Sequence, residues 1–203
     1  MNSNFSRNPV LLVHGMGDTT TIFNKMSFRL TQLGWCVHSL NLTPNDGSLG
    51  LELLAKQVAD YISETFDPKQ PLDIVGFSMG GIVSRYYLQR LGGMNRVQRF
   101  IAISSPHNGT WMAYTSWGKG CVQMRPGSAF LEDLNRDAAL LAKLNFTSIW
   151  TDWDFIIVPA SSSQISSAKE VKLSVFTHTM MVRDSSSLKA VSEALSEPLN
   201  MDK

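Results

Sequence analysis

Asp73-Ile74-Val75-Gly76-Phe77-Ser78-Met79-Gly80-Gly81 is the stretch on which the fold turns. An apolar, β-branched run passes straight into a Gly-x-Ser-x-Gly pentapeptide, which passes straight into a helical stripe of Ile82, Val83, Tyr86 and Leu91. A strand that becomes a helix without a linker holds its middle residue in strained backbone geometry. Gly76 and Gly80 supply the missing side chains that let such a turn close. The spacing predicts Ser78 lifted above a sheet edge at a helix N-terminus, where the dipole favours developing negative charge.

Outward from this point, short apolar runs alternate with longer segments of helical period, the pattern of a parallel sheet covered on both faces. Six strands are expected: Val10 to Val13, Trp35 to Leu40, Leu72 to Val75, Phe100 to Ser104, Thr147 to Trp150 and Val171 to Phe176. Their Val, Ile and Leu content suits strands buried on both sides. Leu51, Leu54, Val58, Tyr61 and Ile62 recur at helical spacing, with Ser48 placed to cap the start and Pro68 beyond the end. Gly92-Gly93 stops the helix that follows Ser78. Further helices are expected near Thr21 to Leu33, Ser128 to Leu144 and Ser186 to Leu195. The reading is an α/β fold of about six mostly parallel strands with helices on both faces, as one domain over residues 1–203.

Composition removes several alternatives. With 203 residues, 43% hydrophobic and 17% charged, the chain is long enough for one substantial core and is neither disordered nor a coiled coil. Eighteen basic against 17 acidic residues leave a net charge of +1, too little to argue for nucleic acid. Cys36 and Cys121 cannot make a disulfide framework and are read as free thiols, the first buried in a strand and the second in a loop. Residues 1–8 are polar, unlike a signal peptide, and no run of about 18 apolar residues exists to span a bilayer. A cytoplasmic protein is the expectation.

A serine hydroxyl attacks only when a histidine removes its proton and a carboxylate orients that histidine. Of His14, His38, His107 and His178, only His178 follows the last expected strand, where residues share the rim with the elbow. His107 is the runner-up, His38 is read as structural, and His14 precedes a glycine that it helps to place. Thr151-Asp152-Trp153-Asp154 offers two acids, and Asp154 is preferred because the apolar run after it anchors its turn. The order Ser78, Asp154, His178 is the one expected of serine hydrolases built on such sheets. Oxyanion donors are the backbone amides of Met79 and, in the loop His14-Gly15-Met16-Gly17-Asp18, of Met16. Gly15-x-Gly17 as a phosphate-binding turn lacks its third glycine and is set aside.

With these residues in place, Asn8 to Gly17, Asp73 to Gly81 and Ser148 to Val158 resemble the α/β-hydrolase lipases, in particular the small, nearly lidless bacterial triacylglycerol lipases typified by Bacillus. The resemblance implies a compact six-stranded hydrolase that cleaves carboxylic esters of lipids with Ser78, Asp154 and His178, its oxyanion amides on Met16 and Met79. Two departures stand out: Phe77 replaces a frequent histidine before the serine, and Thr177-His178-Thr179 replaces a glycine-flanked histidine.

The segment 106–127 carries Trp111, Met112, Tyr114, Trp117 and Met124, an apolar load that makes it either a cover on the core or a small lid or acyl-pocket wall. Trp111, Met112, Met180 and Met181 are taken as acyl-pocket lining, flexible thioethers suiting an unbranched chain; core filling is the competing reading of the methionines. The expected partner is a lipid or small ester, with transient contact at a lipid interface and no metal or organic cofactor. The alternatives are a short-chain esterase or acyl thioesterase and, from another class, a non-catalytic binding protein on a hydrolase scaffold.

Overall fold

A computed structural model describes residues 7–199, so residues 1–6 of the polar N-terminal stretch lie outside the described region. Six strands, β1 (Val10–Val13), β2 (Val37–Leu40), β3 (Leu72–Phe77), β4 (Val97–Ile103), β5 (Asn145–Thr151) and β6 (Lys169–Leu173), form one sheet in the order β2-β1-β3-β4-β5-β6. All five pairings are parallel. The chain winds from β1 outward to β2 and then returns to build the other half from β3, so the switch point lies between β1 and β3. Val13 stands opposite Gly76 there, and the crevice beyond those strand ends is where such sheets bind ligands.

Strand alternation sorts the core into two layers. Leu11, Val13, Ile74 and Phe100 face α2 (Leu51–Thr65), α3 (Met79–Arg90) and α5 (Ala129–Arg136). Val10, Leu12, Val75, Phe77, Ile101 and Ile103 face α1 (Asn24–Gln32) and α6 (Ser185–Ser196). Each such side chain contributes roughly 1.5–3 kcal/mol by leaving water. Among the described residues no helix is long and apolar enough to cross a membrane.

Several boundaries differ from the expectation for physical reasons. The sixth strand lies at 169–173 rather than 171–176, because an edge strand alternates polar and apolar residues and Lys169 and Glu170 hid its beginning. Val175 to Thr177 leave the sheet altogether. Trp35 and Cys36 precede β2, and Cys36 is exposed. Ser48 does not cap α2, which starts after Gly50; its hydroxyl bonds the Asp46 carboxylate instead. The expected 128–144 helix breaks after Arg136, where the Asp137 carboxylate is drawn to Arg90 Nη1 (2.6 Å) and Gln89 Nε2 (2.6 Å), and resumes as a 3₁₀ turn over Ala138–Lys143. Leu91 lies past the end of α3 and is exposed, while Tyr87 and Leu88 bury in its place.

α3 is almost wholly buried and crowds the sheet at Gly80. A Cβ there would be driven into the Val13 carbonyl oxygen and stand 2.5 Å from the His14 carbonyl oxygen. Both are backbone atoms that cannot swing away, so Gly80→Ala is expected to destabilise the fold by about 1–3 kcal/mol or more in urea denaturation. A midpoint unchanged from wild type would show that α3 does not press on β1 as described.

Candidate active site

Ser78 has φ 54° and ψ −125°, a conformation that costs a non-glycine residue of order 1–3 kcal/mol. Its amide donates to Ile103 O (2.9 Å) and its carbonyl accepts from Gly81 N (3.0 Å), so strand β4 and the first turn of α3 hold it from both sides. The β1 loop arrives against it. An added Cβ on Gly15 would lie 2.9 Å from Ser78 Cβ. His14 fixes this loop: its Nε2 accepts from Leu42 N (3.0 Å), so its proton sits on Nδ1 and is donated to Gly15 O (2.8 Å). Burial lowers the His14 pKa, against the Gly15 hydrogen bond and the Asp18 charge. In the same loop the Gly17 amide is taken by Asn45 O (2.8 Å) and the Asp18 amide turns toward Gly15 O (3.4 Å).

His178 and Asp154 meet at Nδ1–Oδ2, 2.7 Å. The other carboxylate oxygen accepts from the Ile156 and Ile157 amides at 3.0 and 2.9 Å. Burial opposes ionisation of Asp154, but the His178 hydrogen bond and charge, with those two amides, hold its carboxyl below the usual range. Because the carboxylate accepts, His178 donates through Nδ1, leaving Nε2 as the ring nitrogen able to take a proton. Phe77 packs on the His178 ring at 4.7 Å between centroids, so the residue that replaces a frequent histidine acts as an apolar rest for the imidazole. Thr177, where a glycine is common, takes φ 70°, strained for a β-branched residue. Thr151 Oγ1 donates to Val175 O (2.9 Å) and steadies the segment that leaves β6 for His178. Asp152, the competing acid, is an exposed partner of Lys172 at 2.6 Å.

Ser78, Met79, Met16 and His178 line one cleft of about 310 Å³. Its wall is the 106–127 segment, which forms a 3₁₀ turn over Trp111–Thr115 and the short helix α4 (Lys119–Gln123). Met112, Ala113, Thr115, Cys121 and Met124 face the cleft, and Ala113 and Met124 also reach the core, so the segment both covers the core and walls the cleft. Of the four residues taken as pocket lining, only Met112 is there. Met181 is fully buried against α6 and the sheet, Met180 is exposed outside the lining, and Trp111 stacks on Tyr114 at 5.4 Å instead. Helical spacing gave no sign of which way these side chains turn. Cys121 is buried within α4 rather than in a loop and approaches Met16 Sδ at 3.5 Å.

Sequence reasoning missed Thr110. Its hydroxyl donates to Ile156 O (2.7 Å) and accepts from Val158 N (2.9 Å), and Trp111 N donates to Val158 O (2.9 Å). The wall is thereby clipped to the very turn that holds Asp154. His107, the runner-up base, is fully buried away from the cleft lining: its Nδ1 is 3.5 Å from Arg85 Nη1 and its ring edges onto Phe146. Burial and the Arg85 charge push its pKa well below the ordinary value. Arg85, itself pushed down to about 10 by burial, bonds Leu134 O and Asn135 Oδ1 at 3.0 Å and so ties α3 to α5. His38 sits in β2 with its ring edge on Phe66. Among the described residues no group of His, Cys, Asp or Glu is placed to hold a metal ion.

A strand–serine–helix elbow at the switch point of a parallel sheet, with a His–Asp pair opening on the same cleft, places the chain among the α/β-hydrolases. The sequence model of the palmitoyl protein thioesterase family matches residues 9–153, and the chain belongs to that family. The match takes in Ser78 and the β1 loop but stops one residue before Asp154. Solved structures of similar fold include Aspergillus fumigatus lipase B, with TM-score 0.80 and 21% identity over 95% of this chain; the chain covers 53% of that protein, about half its length. The mature form of the Bacillus licheniformis lipase BlEst2 superposes with TM-score 0.73 at 15% identity, over 96% of this chain and 94% of that one. A Bacillus anthracis bromoperoxidase does so with TM-score 0.69 at 14% identity, over 95% and 93%. At such identities the likeness is one of fold alone.

Two outcomes follow from the site geometry. A carboxyl held below its unfolded pKa stabilises the fold above the unfolded value, and the gain is lost as pH falls through the folded value. Asp154→Asn is therefore expected to be less stable than wild type at pH 7, with the gap narrowing toward pH 3 in denaturant titrations. A gap that widens on acidification would contradict the ionised pair. Thr110→Val leaves the Ile156 carbonyl without its donor and is expected to cost about 1–3 kcal/mol, with Thr110→Ser recovering most of it; a loss in Thr110→Ser with none in Thr110→Val would mean that the methyl group, not the hydroxyl, matters.

Proposed function

We propose that the protein is a serine acyl hydrolase that cleaves esters or thioesters of apolar acyl chains. The observation that carries this reading is the His178–Asp154 pair opening on the same cleft as the strained Ser78. In the mechanism, His178 Nε2 takes the proton of Ser78 Oγ as that oxygen attacks the carbonyl carbon. The tetrahedral oxyanion is met by the amides of Met79 and Met16, each donor worth on the order of 3 kcal/mol. The neighbouring Gly17 and Asp18 amides are already engaged, by Asn45 O and toward Gly15 O, which favours Met16 as its donor. The imidazolium, held by Asp154, then passes its proton to the departing alcohol or thiol, and water cleaves the acyl-enzyme by the same steps in reverse roles. The acyl chain lies along Met112, Met124, Ile156 and Ile157, which line the cleft with thioethers and branched aliphatics.

The lipid ester hydrolase expected from the sequence and an acyl thioesterase share this machinery. The family to which the chain belongs, named for palmitoyl protein thioesterase, favours including thioesters among the substrates. Either leaving group needs the proton held on His178.

Ser78→Ala is expected to lose roughly 10⁴- to 10⁶-fold in kcat with the fold retained, measured on matched oxygen esters and thioesters of one fatty acyl chain. Asp154→Asn is expected to lose about 10⁴-fold. Turnover by folded Ser78→Ala close to wild type would overturn the assignment.

A further inference from the structure

The lining of the cleft is chemically mixed. Ala113, Cys121, Met124 and Ile157, each no more than 5% exposed, give it buried apolar surface. Asp18 lines the same cleft, together with Ser78, His178 and Thr179. The place a Gly15 Cβ would occupy lies 3.4 Å from Asp18 Oδ2 and 2.9 Å from Ser78 Cβ. The carboxylate and the serine thus border the same point against the β1 loop.

Asp18 has no ion-pair partner within 4 Å among the described residues. The groups that face it, at longer range, are His14, His178 and Arg183, and burial raises its pKa against their influence. The other cations around the wall are engaged elsewhere: Lys119 pairs with Glu52, and the Arg125 guanidinium lies over the Tyr114 and Trp117 rings at 4.6 and 4.8 Å.

A free carboxylate beside an oxyanion site works against the reaction unless it faces the part of the substrate that departs. In the acyl-transfer reading, on which this step rests, that part lies beside His178, which must protonate it. Asp18 lines the same cleft as His178 and lies near enough to feel its charge, so a leaving group beside His178 comes within reach of the Asp18 carboxylate. We infer that Asp18 selects the charge class of the leaving group, accepting alcohols or thiols that carry a positive charge or a hydrogen-bond donor and repelling anionic ones. Two charges several ångströms apart in a half-buried site interact strongly enough for a discrimination on the order of tenfold, and salt reduces it.

The test uses three hexanoyl thioesters that differ only in the thiol: thiocholine (cationic), N-acetylcysteamine (neutral) and 2-mercaptoethanesulfonate (anionic). Wild type is expected to show kcat/KM falling in that order, the sulfonate about tenfold below the neutral thioester at low salt and the gap narrowing in 0.5 M salt. Asp18→Asn should raise the anionic-to-neutral ratio about tenfold and remove its salt dependence. The inference is overturned by equal ratios in wild type and Asp18→Asn. Should the variant fail to fold, a wild-type ratio that ignores salt overturns it as well. No turnover of any of the three by wild type would overturn the acyl-transfer reading itself, and this inference with it; turnover of all three without charge preference would leave that reading standing and sink the inference alone.

Discussion

Everything at the cleft depends on the backbone of Ser78 being held where no ordinary residue rests. With φ 54° the residue sits outside the regions open to most side chains, and the conformation persists only because its surroundings leave no other. Those surroundings are close backbone contacts: β3 runs into α3 with no linker, and Gly76 and Gly80 allow α3 to approach within a distance that any Cβ would prevent. The strain is offset by the burial of nearly all of α3 between β1, β3 and the helices beside it. The stability of the core and the exposure of one hydroxyl are therefore the same structural fact.

Around that point the sheet delivers the other groups from separate strand ends. The β1 loop is fixed by His14, whose tautomer is set by the Leu42 amide, so that main chain rather than a mobile side chain faces Ser78. The loop after β5 presents Asp154 with both oxygens engaged. The segment after β6 leaves the sheet and passes through a strained threonine to bring His178 over Phe77. Thr110 links the cleft wall to the Asp154 turn. The segment that walls the cleft and the turn that hydrogen-bonds the His178 ring are thus joined into one unit.

Much of this was legible in the sequence where a residue type has only one physical use. Gly-x-Ser-x-Gly between an apolar run and a helical stripe fixes an elbow, and the Asp154–His178 pair lies where chain order and strand ends suggest. What escaped has equally physical causes. Edge strands are half-polar, so β6 was displaced toward Val175 and Phe176, apolar residues that pack outside the sheet. Side-chain direction in short 3₁₀ turns follows from tertiary contacts, so Met181 in the core, Met180 outside the lining and Trp111 on Tyr114 could not be told from Met112 in the cleft. Ser48 had the chemistry of a cap but a nearer partner in Asp46. Thr110 gives no signal at all in sequence, since its role exists only once 110 and 156–158 are neighbours.

The most direct measurement is mass-spectrometric mapping of the folded protein after treatment with an alkyl fluorophosphonate, which phosphonylates only an activated serine. The account predicts a single modified residue, Ser78, with labelling slowed by orders of magnitude in His178→Ala. Modification spread over several serines, or undiminished when the imidazole is removed, would contradict it.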